Sequence, residues 1–187
     1  MNKTIILIMF LCVCVVVQAD ERLAYDMVKQ YANLTSCNHS FEDSAKKKTT
    51  LADVIFVRDD NYATEYYVFW HGNMGCTADK DGSMKSYANI TTVAKPKQTS
   101  HKYYVNDWHP FSEIADFNQS YMESIYKIGD DKYRVISWDW ADDKYGGRRD
   151  GEVANKFEYI IEFVPNELNP SIGSYEITHQ KLLEQRK

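Results

Sequence analysis

The densest group of reactive side chains is VFWHGNMGCTADKDGS, Val68 to Ser83, with Trp70, His71, Asn73, Cys76, Asp79 and Asp81 close together. Three chemistries suit such residue types. Asp79, Asp81 and Ser83 alternate around Gly82, like the opening of a calcium loop. The pattern breaks in detail. Glycine should follow the third ligand, and Ile90 stands where the closing glutamate belongs. These three are weak metal candidates, and no cofactor is expected. A Cys76–His71 pair would be nucleophilic only with a free thiol. Cys37 and Cys76 are the only cysteines beyond the first nineteen residues. In an exported chain such a pair reads as a disulfide. The loop it closes, about 40 residues, is worth roughly 3–4 kcal/mol. Neither cysteine has a second Cys or His at ligand spacing, which argues against zinc.

Outside this stretch the reactive groups are sparse. His39, His71, His101, His109 and His179 form no metalloprotease pattern, and no G-x-S-x-G is present. His71 and His109 each follow a tryptophan at an expected strand end, where two imidazoles could converge on one rim. The segment DWADD supplies Asp139, Asp142 and Asp143, and Glu152 follows beyond a glycine-rich loop. Two carboxylates are what glycoside hydrolysis needs, so Asp139, Asp143, Glu152 and His71 are the residues of a hydrolase reading. The stronger pattern is aromatic. Trp70, Trp108, Trp138 and Trp140 accompany fourteen tyrosines, and Trp and Tyr dominate binding hot spots. Trp138 and Trp140, two apart, share one face of a strand, so one of the two is expected in the core. The expected binding surface is Trp70, His71, Asn73, Trp108, His109, Trp138, Asp139, Trp140, Asp142 and Asp143.

The elements that must position these residues come from periodicity. Leu23, Met27, Tyr31 and Leu34 form one helical stripe, predicting an amphipathic helix that ends near Asn33. Val54–Val57 and TEYYVFW read as a hairpin, and NITTV and HKYYV as further strands. Pro110 and the residues after it suit a helical turn or two. MESIYKIGDDKYRVISW alternates as a hairpin around Gly-Asp-Asp-Lys, and FEYIIEFVP is a strand. The C-terminal GSYEITHQKLLEQRK suits a strand or a short helix. One helix and six or seven strands joined mostly by turns predict an α+β domain, with an antiparallel sheet, the N-terminal helix packed on it and one disulfide.

Compartment is written at the N-terminus. Lys3, the apolar run Ile5–Val17 and Ala19 have the form of a signal peptide, residues 1–19, cleaved before Asp20. The mature domain, residues 20–187, keeps 27 acidic and 21 basic side chains, a formal charge of −6. That balance disfavours nucleic acid and anionic membranes and suits a basic partner. No membrane association is expected once the leader is removed. Asn33, Asn38, Asn89 and Asn118 head N-x-[ST] triplets, four among ten asparagines of the mature chain, where chance gives about one. They leave a eukaryotic secreted glycoprotein as an alternative.

Together, YYVFWHGNMGC, NITTV and YYVND resemble small uncharacterised exported proteins of proteobacteria, in which a strand ends in W-x-G-[DN]-x-G-C. The matching residues are Trp70, Gly72, Asn73, Gly75 and Cys76, and the likeness covers roughly Val54 to Phe163. TADKDGS replaces the family's Gly/Ser run, and its extra cysteines are missing. The resemblance implies no activity. It implies a periplasmic location rather than the eukaryotic extracellular space. The resulting expectation is an exported binding or inhibitory protein without chemistry of its own. An immunity protein that neutralises a basic toxin or enzyme, such as a cell-wall hydrolase, is its concrete form.

Overall fold

The computed structural model describes residues 20–78, 82–114, 116–148, 151–169 and 172–187. The expected leader, and with it the cleavage site, lies outside them, as do Asp79 and Asp81. No helix among the described residues is long and apolar enough to cross a membrane.

Helix α1 (residues 20–35) leads directly into strand β1 (Ser36–His39). Then come β2 (Val54–Asp59), β3 (Ala63–Met74), β4 (Tyr87–Pro96) and β5 (Tyr104–Asn106). All four pair with one another or with β1 in a five-stranded antiparallel sheet, with β3 and β4 as its long centre. Two single 3-10 turns, Pro110–Glu113 and Gln119–Tyr121, carry the chain to the second sheet. That sheet is the meander β6 (Met122–Gly129), β7 (Lys132–Asp139), β8 (Asn155–Pro165) and β9 (Gly173–Gln185), all antiparallel. The architecture is α+β as expected. Among the described residues the strands number nine and divide into two sheets; the addition over the expected number is the short β1, which carries no alternation of its own, and the C-terminal segment. The C-terminus is a strand.

The layers follow from which side chains share a face. On β3, Tyr67 and Phe69 point into a core shared with Tyr133, Val135, Phe157, Tyr159 and Ile161 of the second sheet. Tyr66, Val68 and Trp70 point the other way, against Ala24, Val28 and Ala32 of α1. β3 is thus covered on both faces, which is why its sequence is continuously apolar instead of alternating. β8 has one covered face. There Asn155, Phe157, Tyr159 and Ile161 are buried, with Lys156, Glu158 and Ile160 between them half-exposed.

The helix buries a face one residue round from the expected stripe. Leu34 is 87% exposed and Leu23 43%, whereas Ala24, Val28 and Ala32 are covered. The sheet beneath presents Trp70, Tyr66 and Phe41, and large rings in one layer leave room only for small side chains in the next. Trp70 is 0% exposed and donates Nε1–H to Thr91 Oγ1 at 2.9 Å. Its ring also lies over Gly72, where a Cβ would meet Trp70 Cζ3 at 2.4 Å. That close approach is the physical reason for glycine two residues after the tryptophan.

Replacing Trp70 by Ala should therefore cost about 3–5 kcal/mol, and Leu34→Ser less than about 0.5 kcal/mol, in urea denaturation followed by far-UV circular dichroism. Comparable losses in both variants would show that α1 buries the other face.

Candidate functional site

The end of β3 is built for shape. Asn73, 1% exposed, folds the chain back through Nδ2 donating to Thr77 O at 2.7 Å and Oδ1 accepting from Thr77 N at 3.1 Å. Gly75 and Cys76 take positive φ, 73° and 57°. Gly75 N–H donates to Thr35 O at the end of α1. The Cys37–Cys76 disulfide joins β1 to this turn with 5.2 Å between Cα atoms. Trp70 and Asn73 are thus framework, not surface as expected from sequence. Both were chosen for side-chain type, and the two-sided burial of β3 overrides it. Ser83 is exposed, and among the described residues no group of three His, Cys, Asp or Glu could hold a metal ion.

The two Trp-His steps do not converge. His71 is half-buried with Nε2 3.0 Å from Met122 O, and burial lowers its pKa. It borders a cavity of about 450 Å³ with His39, Lys46 and Lys47. His109 is 7% exposed, so it too leaves the expected surface, and burial lowers its pKa to about 4. Both imidazoles are neutral at pH 7. Trp108 is exposed and borders a separate cavity of about 560 Å³ with Arg58, Glu65 and Asp131.

An open cleft of about 710 Å³ lies where the Asp-rich segment leaves β7. Asp116, Asp139 and Asp142 line it, against a single cation among the described residues, Lys144. Its apolar walls are Phe117, Trp140, Tyr145 and Ile177, and Asn118 and Gln180 add amides. Each group has a structural reason to be there. Asp139 is the last residue of β7, and its Oδ1 accepts from Trp140 N at 2.8 Å. Trp140 stands edge-on to Tyr121, ring centroids 5.9 Å apart. Asp142 and Gly146 form a two-way backbone bridge, and Asp142 Oδ1 accepts from Tyr145 N at 2.6 Å. The 116–118 wall is tied to β7 by Ser137 Oγ donating to Asn118 O at 2.7 Å.

The residue that holds this loop escaped the sequence reading. Asn155, 0% exposed, donates Nδ2–H to Trp140 O at 3.2 Å and to Gly146 O at 3.0 Å, and accepts from Gln185 Nε2 at 3.0 Å. It clamps both ends of the turn. Gly147, at φ 104°, passes so close that a Cβ there would lie 2.9 Å from Asn155 Oδ1. The only sequence signal was the Gly-Gly pair.

Burial raises the Asp139 pKa above its ordinary value, with the nearby Asp142 charge adding to the effect. Behind it the Tyr159 hydroxyl is buried without a hydrogen-bond partner among the described residues, and burial, then the field of Asp139, raises its pKa. Other expected partners lie elsewhere. Asp143 is exposed outside the cleft lining, and Glu152 borders a separate hollow of about 220 Å³ with Arg148 and Trp140. Trp138 faces the outer side of the second sheet. Its Nε1 donates to Glu123 Oε1 at 2.7 Å, and the Arg186 guanidinium stacks 4.5 Å from the ring centroid. It does not share a face with Trp140, because β7 ends between them and neither ring enters the core.

No known protein family, curated protein or solved structure matches the chain.

A raised carboxyl pKa has a defined sign in stability. The folded protein binds the Asp139 proton more tightly than the unfolded chain does, so the burden of ionising it is full above the folded-state pKa and is relieved as pH falls through it. Asp139→Asn, which retains the acceptor for Trp140 N, should raise the urea midpoint at pH 7. The gain over wild type should shrink towards acid pH. A gain independent of pH would assign the effect to something other than the carboxylate.

Proposed function

We propose that this chain is an exported, non-enzymatic binding protein that receives a basic group of a protein partner in the cleft of Asp116, Asp139, Trp140 and Asp142. The observation that supports this reading is the cleft itself. It gathers three carboxylates against one lysine, with Trp140 45% exposed at its wall. A lysine or arginine side chain entering it meets carboxylates and an aromatic face, and both attract cations. The Asn155 clamp fixes the loop beforehand, so little ordering entropy is lost on binding. The concrete form is an inhibitor that occupies the basic substrate-binding surface of an exported enzyme, as an immunity protein does for a toxin such as a cell-wall hydrolase.

Titration calorimetry with lysine- and arginine-rich peptides, and then with basic exported hydrolases, tests the reading. Changing Asp139 and Asp142 together to Asn should weaken binding at least tenfold, about 1.4 kcal/mol. Trp140→Ala should weaken it by a similar factor, and Asp143→Asn, the same charge change outside the cleft, should leave it unchanged. Added salt should weaken binding to wild type more than to the double variant. Equal affinity in wild type and double variant would sink the reading.

One observation favours a second reading, a carboxylate-dependent glycan hydrolase. A carboxyl of raised pKa beside a second carboxyl is the pairing a general acid requires, and Asp139, raised by burial and then by Asp142, has that character. Glu152 is outside this pair, on the other side of Trp140. Release of reducing ends from peptidoglycan or chitin by wild type, abolished by Asp139→Asn alone, is its signature. Binding without release leaves the first reading in place.

A further inference from the structure

The four N-x-[ST] triplets, which the cleft does not explain, occupy very different positions in the fold. Asn89 lies in β4, half-buried, and its Nδ2 donates to Tyr87 O at 2.9 Å and Gly72 O at 3.4 Å. Its hydroxyl residue, Thr91, is 1% exposed and accepts from Trp70. Asn38 sits in β1 beside the disulfide. Its Nδ2 donates to Met84 O at 3.2 Å and its Oδ1 accepts from Ser86 Oγ at 2.6 Å. The Asn118 side chain is half-buried and lines the cleft with Asp139. Asn33 alone is exposed, and its side chain has no hydrogen-bond partner among the described residues. It lies in the last turn of α1, on the layer away from the second sheet. Leu34 beside it presents 87% of its surface to solvent.

A sugar on an asparagine leaves the amide one N–H and adds a bulky, hydrated group that must stand in water. Asn89 would lose one of its two donated hydrogen bonds, Asn38 has a single donated bond that its amide would have to keep, and all three of these amides, with Asn118, are half-buried. Asn33 loses nothing, and a glycan there covers an apolar side chain that otherwise faces solvent.

We propose that Asn33 carries an N-linked glycan, and that the folded, secreted protein carries none on Asn38, Asn89 or Asn118. In the transfer, Asn33 Nδ2 forms a bond to the anomeric carbon of a lipid-pyrophosphate-linked oligosaccharide. The bond from that carbon to the phosphate oxygen breaks, the lipid pyrophosphate leaves with its electron pair, and the amide gives up one proton. Nothing is oxidised or reduced. The donor and its transferase belong to a glycosylating secretory lumen, so the proposal favours that route over the periplasm implied by the sequence resemblance. The cleft's attraction for a basic group does not depend on it, whereas the cell-wall-hydrolase form of that reading is the one it disfavours.

The test is secretion of the full chain from a eukaryotic cell, with its first nineteen residues or a host leader joined before Asp20, and intact-mass measurement before and after peptide-N-glycosidase. The expected result is a shift of a single glycan. It should be abolished by Asn33→Gln and by Thr35→Ala, kept by Thr35→Ser, and unchanged by Asn89→Gln or Asn118→Gln. Agreement of the Asn33 and Thr35 variants separates loss of the acceptor from a change in folding. A secreted wild type with no shift, or a shift that survives Asn33→Gln, overturns the proposal.

Discussion

Burial of β3 on both faces is the constraint from which the remaining architecture follows. Its odd and even residues enter two different cores, Tyr67 and Phe69 between the sheets and Tyr66, Val68 and Trp70 under the helix. A slip of one residue would exchange the two sets. The Trp70–Thr91 hydrogen bond secures the pairing of β3 with β4, because a misregistered strand would bury the indole N–H unpaired. The same ring requires the glycine at 72 and the alanines of α1. The turn at 73–77 and the disulfide then return the chain from this strand to the end of the helix. The residue types that make VFWHGNMGC look reactive are thus used up in construction.

The second sheet shows the opposite economy. β7 and β8 are covered on one face only, so their ends and outer faces can carry polar groups at little cost. Asp139 lies at the boundary, its backbone still in the β7–β8 ladder opposite Asn155 and its carboxyl at the cleft wall. That position explains the raised pKa without special chemistry: the strand places the carboxyl where water is partly excluded. Asn155, one strand over, holds the following loop closed. Charge placed by a rigid frame is what makes an acidic segment selective, since a mobile acidic loop attracts any cation equally.

The sequence made local periodicity legible and left long-range placement hidden. β7 and β8 alternate in burial, and the Gly-Asp-Asp-Lys turn marks the β6–β7 hairpin, so these strands could be read. The helix could be found too, but not its buried face, because the choice between Leu23/Leu34 and Ala24/Val28/Ala32 depends on the ring layer beneath. Asp139, Trp140 and Asp142 were nominated from composition, and the structure gathers them with Asp116, which had no motif of its own. Trp70, Asn73 and His109 were nominated by the same logic and are buried. Side-chain type is common to both groups, and what separates them is strand position, interior for Trp70 and terminal for Asp139. Asn155 was invisible because its role needs three carbonyl or amide partners brought from distant positions.

The formal charge of the domain by itself selects nothing, and several acids on its surface are matched locally. Asp43 pairs with Lys48, Asp59 with Lys97, Asp60 with Arg58, Glu162 with Lys132 and Glu123 with Lys156. Such pairs contribute little to stability, yet each cancels a charge that an approaching cation would otherwise feel. Among the described residues Asp116, Asp139 and Asp142 have no ion pair of this kind, and Lys144 is the only basic side chain lining their cleft. Three carboxylates are thus gathered in a concavity with aromatic walls, where partial exclusion of water lowers the effective dielectric and strengthens each interaction. What distinguishes the cleft from the paired surface acids is this grouping beside aromatic side chains, not the domain's total charge.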